Sequence, residues 1–146
     1  MENYMKEALI EANKALLLDE VPIGAIIVRN GEIIARAHNG KENSQIATHH
    51  AEILAIEEAC AILGSWRLED CDLYCTLEPC SMCAGAIIQA RIRKVVFGAS
   101  DPKSGALSGL YNMYEVSGFN HYPEVVHSVL KDECSQILKD YFKSKR

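Results

Sequence analysis

The sequence has no long hydrophobic run, and no window approaches the roughly 18 uninterrupted apolar residues that a membrane-spanning helix requires. Its amino terminus lacks the basic start and apolar stretch of a signal peptide. Positive charge is also scarce, since 15 lysine and arginine residues stand against 20 aspartate and glutamate residues, for a net charge of −5 at pH 7. We therefore expect a protein without a membrane anchor, and the charge argues against a broadly basic nucleic-acid binder.

Internal repeats, linkers and low-complexity stretches are absent too, so we expect residues 1–146 to form one domain. The chain has six cysteines, but the pattern is not that of a disulfide-rich scaffold. Cys60, Cys71, Cys75 and Cys134 fall in periodic segments, which predicts small buried apolar side chains. A cytoplasmic, reducing location fits these features.

The spacing of apolar residues predicts an alternation of helices and strands. Asn30-Gly31 is a strong hairpin signal between the first two strands, and a polar loop follows at 39–48. A strand–helix–strand unit over 73–98 predicts two parallel strands. The expected fold class is α/β, a three-layer α/β/α sandwich whose mixed sheet has about five strands. The predicted helices are 2–18, 50–63, 81–90 and 131–143, with a short helix or turn at 110–116, and the predicted strands are 24–29, 32–37, 73–77, 94–98 and 124–130.

The clearest chemical signal is His50-Ala51-Glu52, which is followed by Pro79-Cys80-Ser81-Met82-Cys83. One imidazole and two thiolates provide three ligands for a tetrahedral Zn²⁺ and leave one position for water, as in catalytic zinc sites. Both segments begin predicted helices, whose positive N-terminal ends favour thiolate over thiol. Glu52 points about 200° around its helix from His50. It is therefore predicted to carry protons for the water rather than to bind the metal.

Other interpretations of the cysteines exist. A Cys-x-x-Cys pair alone could be a redox dithiol or a structural zinc knuckle. Cys71 and Cys75 could also complete a closed four-cysteine site with Cys80 and Cys83. The closed site is disfavoured because residues 72–77 are typical of a strand, which would have to double back within four residues.

Positive charge is concentrated towards the end of the chain. Residues 131–146 carry five lysines and arginines against three acidic residues, and a second basic cluster follows the cysteine helix at 91–94. These residues could form a solubilising surface. They could instead contact phosphates beside the site.

The chain resembles the bacterial tRNA-specific adenosine deaminases (TadA type), in the cytidine-deaminase-like superfamily, essentially from end to end. The 66–68 segment, the 98–105 loop and Asn120-His121 resemble the tRNA-acting branch in particular. The matching segments are 20–25, 38–39, 50–55, 64–68, 77–86, 91–92, 97–99 and 101–105.

The resemblance implies that His50, Cys80 and Cys83 bind one zinc per chain and that Glu52 shuttles protons. It also implies that Asn39 contacts the target nucleoside and that Asp101 lies near the substrate backbone. Tyr141-Phe142 would help to hold the anticodon loop. His49 stands where the family often has a small residue, but the His-x-Glu spacing selects His50 as the ligand.

The implied function is zinc-dependent deamination of adenosine to inosine at the wobble position (34) of a tRNA anticodon loop, by a homodimer. A deaminase of free guanine, cytosine or a nucleotide would share every zinc residue and remains an alternative. A catalytically inactive zinc module is a second alternative, which Glu52 argues against because a structural module does not need that carboxylate.

Overall fold

The structure is a computed structural model that describes all residues from Met1 to Arg146. The chain forms five helices and five strands, with one short 3₁₀ turn, Met113–Glu115. None of the helices has the length and hydropathy needed to cross a membrane. The helices are α1 Glu2–Leu17, α2 Lys41–Ser44, α3 Ala51–Leu63, α4 Ser81–Gln89 and α5 Lys131–Ser144, and the strands are β1 Gly24–Arg29, β2 Glu32–His38, β3 Cys71–Leu77, β4 Lys94–Ala99 and β5 Glu124–Val126.

The strands form one mixed sheet in the order β2-β1-β3-β4-β5. β1 is antiparallel to both of its neighbours, whereas β3, β4 and β5 run parallel. Because β3 and β4 are adjacent and parallel, α4 must cross from the end of one to the start of the other. The predicted mixed sheet of about five strands and its strand–helix–strand unit are confirmed.

Helices cover both faces of the sheet. Alternate residues of each strand point to opposite faces, so Ile27 joins a core with α3 and α4 while its neighbour Ile26 packs against α1. The larger core holds α3 through a row of small side chains, Ala51, Ala55 and Ala59, which allow the helix to lie close to the sheet. The three-layer α/β/α class is therefore confirmed.

The turn between β1 and β2 follows its sequence signal closely. Asn30 and Gly31 have φ of 51° and 77°, both in the left-handed region that a two-residue hairpin turn requires. Gly64, just after α3, also has a left-handed φ and ends that helix.

Two predictions about elements were wrong. The strand expected at 124–130 is only Glu124–Val126, because Ser128 and Leu130 adopt positive φ and the chain turns there into α5. The polar stretch 39–48 contains a short helix, α2, that its composition did not indicate. The short helix or turn expected at 110–116 is the 3₁₀ turn, in which the Tyr114 amide donates to the side chain of Asn112.

Candidate active site

Two helix starts face each other at the site. His50 immediately precedes α3 and Cys80 immediately precedes α4, and both have extended backbone conformations before the helix begins. Cys83 lies one turn into α4 and is buried. Cys80 also forms a β-bridge with Gly105, which fixes the segment before α4 against the loop that follows β4. The positive ends of two helices therefore converge on one small volume.

The ligand atoms of three side chains meet there. His50 Nδ1 lies 3.6 Å from Cys80 Sγ and 3.6 Å from Cys83 Sγ. All three ligand atoms lie within 4.8 Å of one another. With zinc–sulfur and zinc–nitrogen bonds of about 2.3 and 2.0–2.1 Å, tetrahedral geometry separates a sulfur from a nitrogen ligand by about 3.6 Å. The donor set and its spacing therefore fit a zinc ion.

The electrostatics of the cluster favour a thiolate at Cys80. Hydrogen bonding from the Cys83 thiol, with a further contribution from the His50 ring, lowers the pKa of Cys80 to about 4 although burial opposes the shift. The same contact with Cys80, together with burial, raises the pKa of Cys83. Hydrogen bonding to Cys80 also raises the pKa of His50. An anionic sulfur beside an imidazole is a strong donor set for a soft or borderline metal.

Glu52 lies beside the cluster. Glu52 is only 4% exposed, and its carboxyl is close enough to the Cys83 thiol that it helps to raise the pKa of that thiol. Burial raises the pKa of Glu52 to about 7. A buried carboxyl next to three potential metal ligands is placed for proton transfer rather than for solvation at the surface.

Asn39 lies in the same pocket as His50. A cavity of about 170 Å³ is lined by both of them, together with Lys41 and Val21. The side chain of Asn39 donates to the Val21 carbonyl and accepts from the Lys41 amide, at 3.3 and 3.4 Å. A backbone carbonyl only accepts hydrogen bonds and a backbone N–H only donates them. The Asn39 side chain must therefore turn its nitrogen to Val21 and its oxygen to Lys41.

Asp101 and Phe142 lie together, but in a neighbouring groove rather than in the His50 pocket. This groove, of about 880 Å³, is also lined by Val21, which separates it from the pocket. Four of its remaining side chains are basic. We call this groove the α5 groove. Its lining includes Asp101, Phe142, Lys103, Lys139, Lys145 and Arg146.

The other candidate ligands do not join the cluster. His49 is half-buried and its ring is outside the group of three ligand atoms. Cys71 and Cys75 are buried within β3, away from that group. Cys134 is buried as well, whereas Cys60 is only half-buried, so the expectation of a buried side chain was wrong there.

Glu20 is a residue whose role the sequence did not reveal. It is completely buried, and its carboxylate accepts from the Glu42 amide at 3.1 Å and from the Asn43 amide and side chain at 2.6 Å. These are amides of α2, which has no side-chain cap of its own. Glu20 therefore holds the wall of the pocket that carries Lys41. Its partners lie 22 and 23 residues away, and no local spacing predicts them.

The sandwich with ligands at two facing helix starts and a buried carboxylate beside them defines the cytidine-deaminase-like class of proteins. The model of the MafB19-like deaminase family matches residues 1–146. The tRNA-specific adenosine deaminase of Bacillus subtilis is 56% identical over 99% of this chain and 90% of its own length. That of Aquifex aeolicus is 46% identical over 99% of this chain and 95% of its own length.

Two solved structures have a fold similar to that of this chain. A chain from a study of A-to-I editing by tRNA:A34 deaminases at the wobble position of transfer RNA superimposes with a TM-score of 0.90, at 45% identity over 94% of this chain and 100% of that chain. A guanine deaminase from Nitrosomonas europaea gives 0.80, at 25% identity over 96% of this chain and 83% of that chain. This protein belongs to the tRNA-specific adenosine deaminase family.

Proposed function

We propose that this protein deaminates adenosine to inosine at the wobble position (34) of a tRNA anticodon loop. The observation that carries the proposal is the buried Glu52 carboxyl beside the convergent His50, Cys80 and Cys83 side chains. The adenosine substrate is supported by relatives at 56% and 46% identity named tRNA-specific adenosine deaminase.

His50, Cys80 and Cys83 would together hold one zinc ion per chain. The 3.6 Å spacing of Nδ1 from each sulfur supports this assignment, as does the lowered pKa of Cys80. Zinc acts as a Lewis acid that makes a water molecule acidic enough to serve as a nucleophile near neutral pH. Three protein ligands rather than four are typical of catalytic zinc sites.

Glu52 would move the protons of the reaction. Its carboxylate would take a proton from the attacking water, whose oxygen bonds to C6, and deliver that proton to the adenine ring nitrogen. It would then take the proton of the new C6 hydroxyl and pass it to the amino group, which leaves as ammonia as the C6–N bond breaks and the C6 carbonyl forms. Asn39, held between the Val21 carbonyl and the Lys41 amide, would orient the nucleoside in the pocket that it lines with His50.

The α5 groove would hold the RNA around the target base. It adjoins the His50 pocket at Val21, and Lys103, Lys139 and Arg146 supply positive charge to a chain whose net charge is −5. Phe142 is 47% exposed there and offers an aromatic face for stacking. Asp101 would lie near the substrate backbone. An atom inside a duplex stack is out of reach, so an unpaired loop base is the suitable substrate.

A free-base deaminase is the second candidate. The guanine deaminase from Nitrosomonas europaea shares the fold, which favours this alternative. The basic groove beside the pocket favours RNA, because a free base has no phosphates for it to neutralise.

The test is to incubate the purified protein with total tRNA and, separately, with guanine and cytosine, and to search each product by mass spectrometry. We expect inosine in tRNA, about one zinc per chain, and loss of that zinc in Cys80→Ser but not in His49→Ala. Deamination of guanine or cytosine without any inosine in tRNA would replace the proposal with the free-base alternative.

We further propose that two copies of this chain form a homodimer. Along the outer side of α3 and α4, a groove of about 580 Å³ is lined by apolar side chains including Ile53, Ile56 and Trp66. Trp66 is 55% exposed, and burial of such a patch would favour association. Sedimentation should give twice the chain mass of 16.2 kDa, and Ile53→Glu, at a groove residue that does not pack against the core, should shift the mass towards that of one chain.

A cytoplasmic location completes the proposal, because tRNA is found there and all six cysteines are free.

A further inference from the structure

Glu78 is a buried carboxylate that the chemistry above does not use. Glu78 is 2% exposed and directly precedes Pro79 and Cys80. An isolated buried charge is strongly unfavourable, so it must be satisfied by partners. No lysine or arginine pairs with it; each of its partners is an N–H or hydroxyl donor of one loop, the 100–109 loop. The donors are Ser100 Oγ (2.9 Å) and the Asp101 amide (3.0 Å) on Oε1, and the amides of Leu107 (2.9 Å), Ser108 (2.7 Å) and Gly109 (2.8 Å) on Oε2.

The 100–109 loop closes tightly around this carboxylate. A Cβ on Gly109 would collide with both the Asp101 carbonyl oxygen and the Glu78 carboxylate, so only glycine fits at that position. The Ala106 amide donates to the Pro79 carbonyl at 2.9 Å, which ties the middle of the loop to the same segment. Both ends of the loop are therefore fixed relative to Glu78.

One end of this loop forms a wall of the α5 groove. Asp101 and Lys103 line the groove opposite Lys139 and Phe142 of α5. The Asp101 side chain is held within the loop by the Lys103 and Ser104 amides, so it moves with the backbone that carries it. The backbone of Asp101 is anchored in turn through its amide to Glu78 Oε1.

We propose that Glu78 is a positioning residue for substrate, which holds the Asp101 side of the α5 groove in the shape that receives the RNA. It acts through the loop and does not touch the reacting atoms. This inference rests on the proposed function, since it takes the occupant of the groove to be the anticodon stem-loop.

The geometry makes Glu78→Gln a selective change. A glutamine amide nitrogen is itself a donor, so it cannot face the three amides on the Oε2 side. It must occupy the Oε1 side, where Ser100 can rotate to accept but the Asp101 amide cannot. The substitution therefore releases the Asp101 end of the loop and leaves the 107–109 end anchored.

The control is Ser108→Ala, in the same loop but outside the lining of the α5 groove. It removes an exposed hydroxyl and keeps all five hydrogen bonds to Glu78, because Ser108 donates to Glu78 through its backbone amide. If the anchoring of Asp101 is what matters, the control should behave like the unaltered protein.

The experiment measures steady-state kinetics on a synthetic anticodon stem-loop, with zinc content determined for each protein. We expect Glu78→Gln to raise KM about tenfold, corresponding to the loss of one hydrogen bond to a charged group. Its kcat should stay within about twofold of the unaltered value, because the metal ligands and Glu52 are undisturbed. Ser108→Ala should change KM less than about twofold.

Loss of zinc, or a fall in kcat without a change in KM, would show that Glu78 supports Cys80 instead and would overturn the proposal. An unchanged KM would overturn it as well. A second measurement covers the case in which Glu78→Gln fails to fold. In the unaltered protein, the amides of Asp101, Leu107, Ser108 and Gly109 should be protected from hydrogen exchange without RNA, and rapid exchange at Asp101 would contradict pre-positioning.

Failure of the proposed function is distinguishable from these outcomes. It would appear as no inosine from the unaltered protein, and amide exchange would still decide whether Glu78 holds the loop.

Discussion

At the scale of single residues, the protein uses buried carboxyl groups for two different purposes. Glu52 lies beside the cluster of proposed metal ligands and has a pKa raised by burial, whereas Glu20 and Glu78 accept several amide hydrogen bonds. For Glu20 and Glu78, burial acts to raise the pKa, but the hydrogen bonds outweigh it and the pKa is lowered. One residue type thus has a raised pKa at one position, as the proposed proton carrier, and anchors backbone amides at two others.

Glu52→Ala should retain zinc and RNA binding but lose deamination by at least about a hundredfold, because only proton transfer is removed. Metal analysis, RNA binding and inosine formation would be measured on the same preparation. Glu58→Ala is the control, since it removes an exposed carboxylate further along the same helix and outside the groove proposed for dimer contact. A loss of less than about tenfold in Glu52→Ala would mean that another group carries the protons.

Glu20 predicts a dependence of stability on pH. Its lowered pKa means that the folded state favours the carboxylate, so the stabilisation is present above the unfolded pKa of about 4.3 and is lost as pH falls through the lower folded value. Glu20→Gln should therefore be less stable than the unaltered protein at pH 7, by an amount that shrinks towards pH 3. Urea unfolding at several pH values measures this difference. A difference independent of pH would show that the charge of Glu20 is not what stabilises α2.

At the scale of elements, the sequence was informative where one segment alone decides the outcome. The hairpin turn at Asn30-Gly31, the end of α3 at Gly64 and the helix after Cys80 follow from local preferences. The last strand was predicted too long because its apolar pattern continues to residue 130, whereas positive φ at Ser128 and Leu130 breaks it. α2 depends on Glu20, far away in sequence, and no local pattern could reveal it.

Variants of the α5 groove should distinguish the contribution of base stacking to RNA binding from the contribution of charge. Phe142→Ala should weaken RNA binding by about 1–3 kcal/mol, the range for loss of one base–aromatic stack, without changing the salt dependence. Lys139→Ala with Arg146→Ala should instead flatten the plot of log K against log salt by about 0.7 for each phosphate that the protein no longer neutralises. Lys145 is a weaker choice because it is paired with Asp19. Equal slopes in all variants would mean that the groove does not bind phosphate.

At the scale of the whole molecule, both core clusters use the same sheet. β1, β3 and β4 contribute alternate side chains to each of them, so neither cluster can be lost alone. We expect residues 1–146 to unfold as one domain, with coincident transitions by circular dichroism and by the fluorescence of Trp66 at fixed zinc concentration. Separate midpoints that do not change with protein concentration would indicate more than one cooperative unit, whereas dissociation of the proposed dimer at Trp66 would depend on concentration.

The site shows what a sequence can and cannot predict. His50, Cys80 and Cys83 are separated by up to 33 residues, but their ligand chemistry and the helix starts around them indicated that they would meet. Asn39 came from the family resemblance alone, and the structure places it in the same pocket. The amides that surround Glu20 and Glu78 belong to the backbone, whose hydrogen-bonding groups are the same at almost every position. Their arrangement depends on the folded chain and not on residue type.

The proposed function requires that the reacting base is an adenosine in an RNA loop. The most direct measurement compares two synthetic anticodon stem-loops that differ only at position 34, one with adenosine and one with guanosine, incubated with the zinc-loaded protein and analysed by mass spectrometry. We predict inosine in the first, no change in the second, and no product from the first with Glu52→Ala. An unchanged adenosine stem-loop, under conditions in which the same preparation deaminates free guanine or cytosine, would show that the substrate is a free base and not an adenosine in RNA.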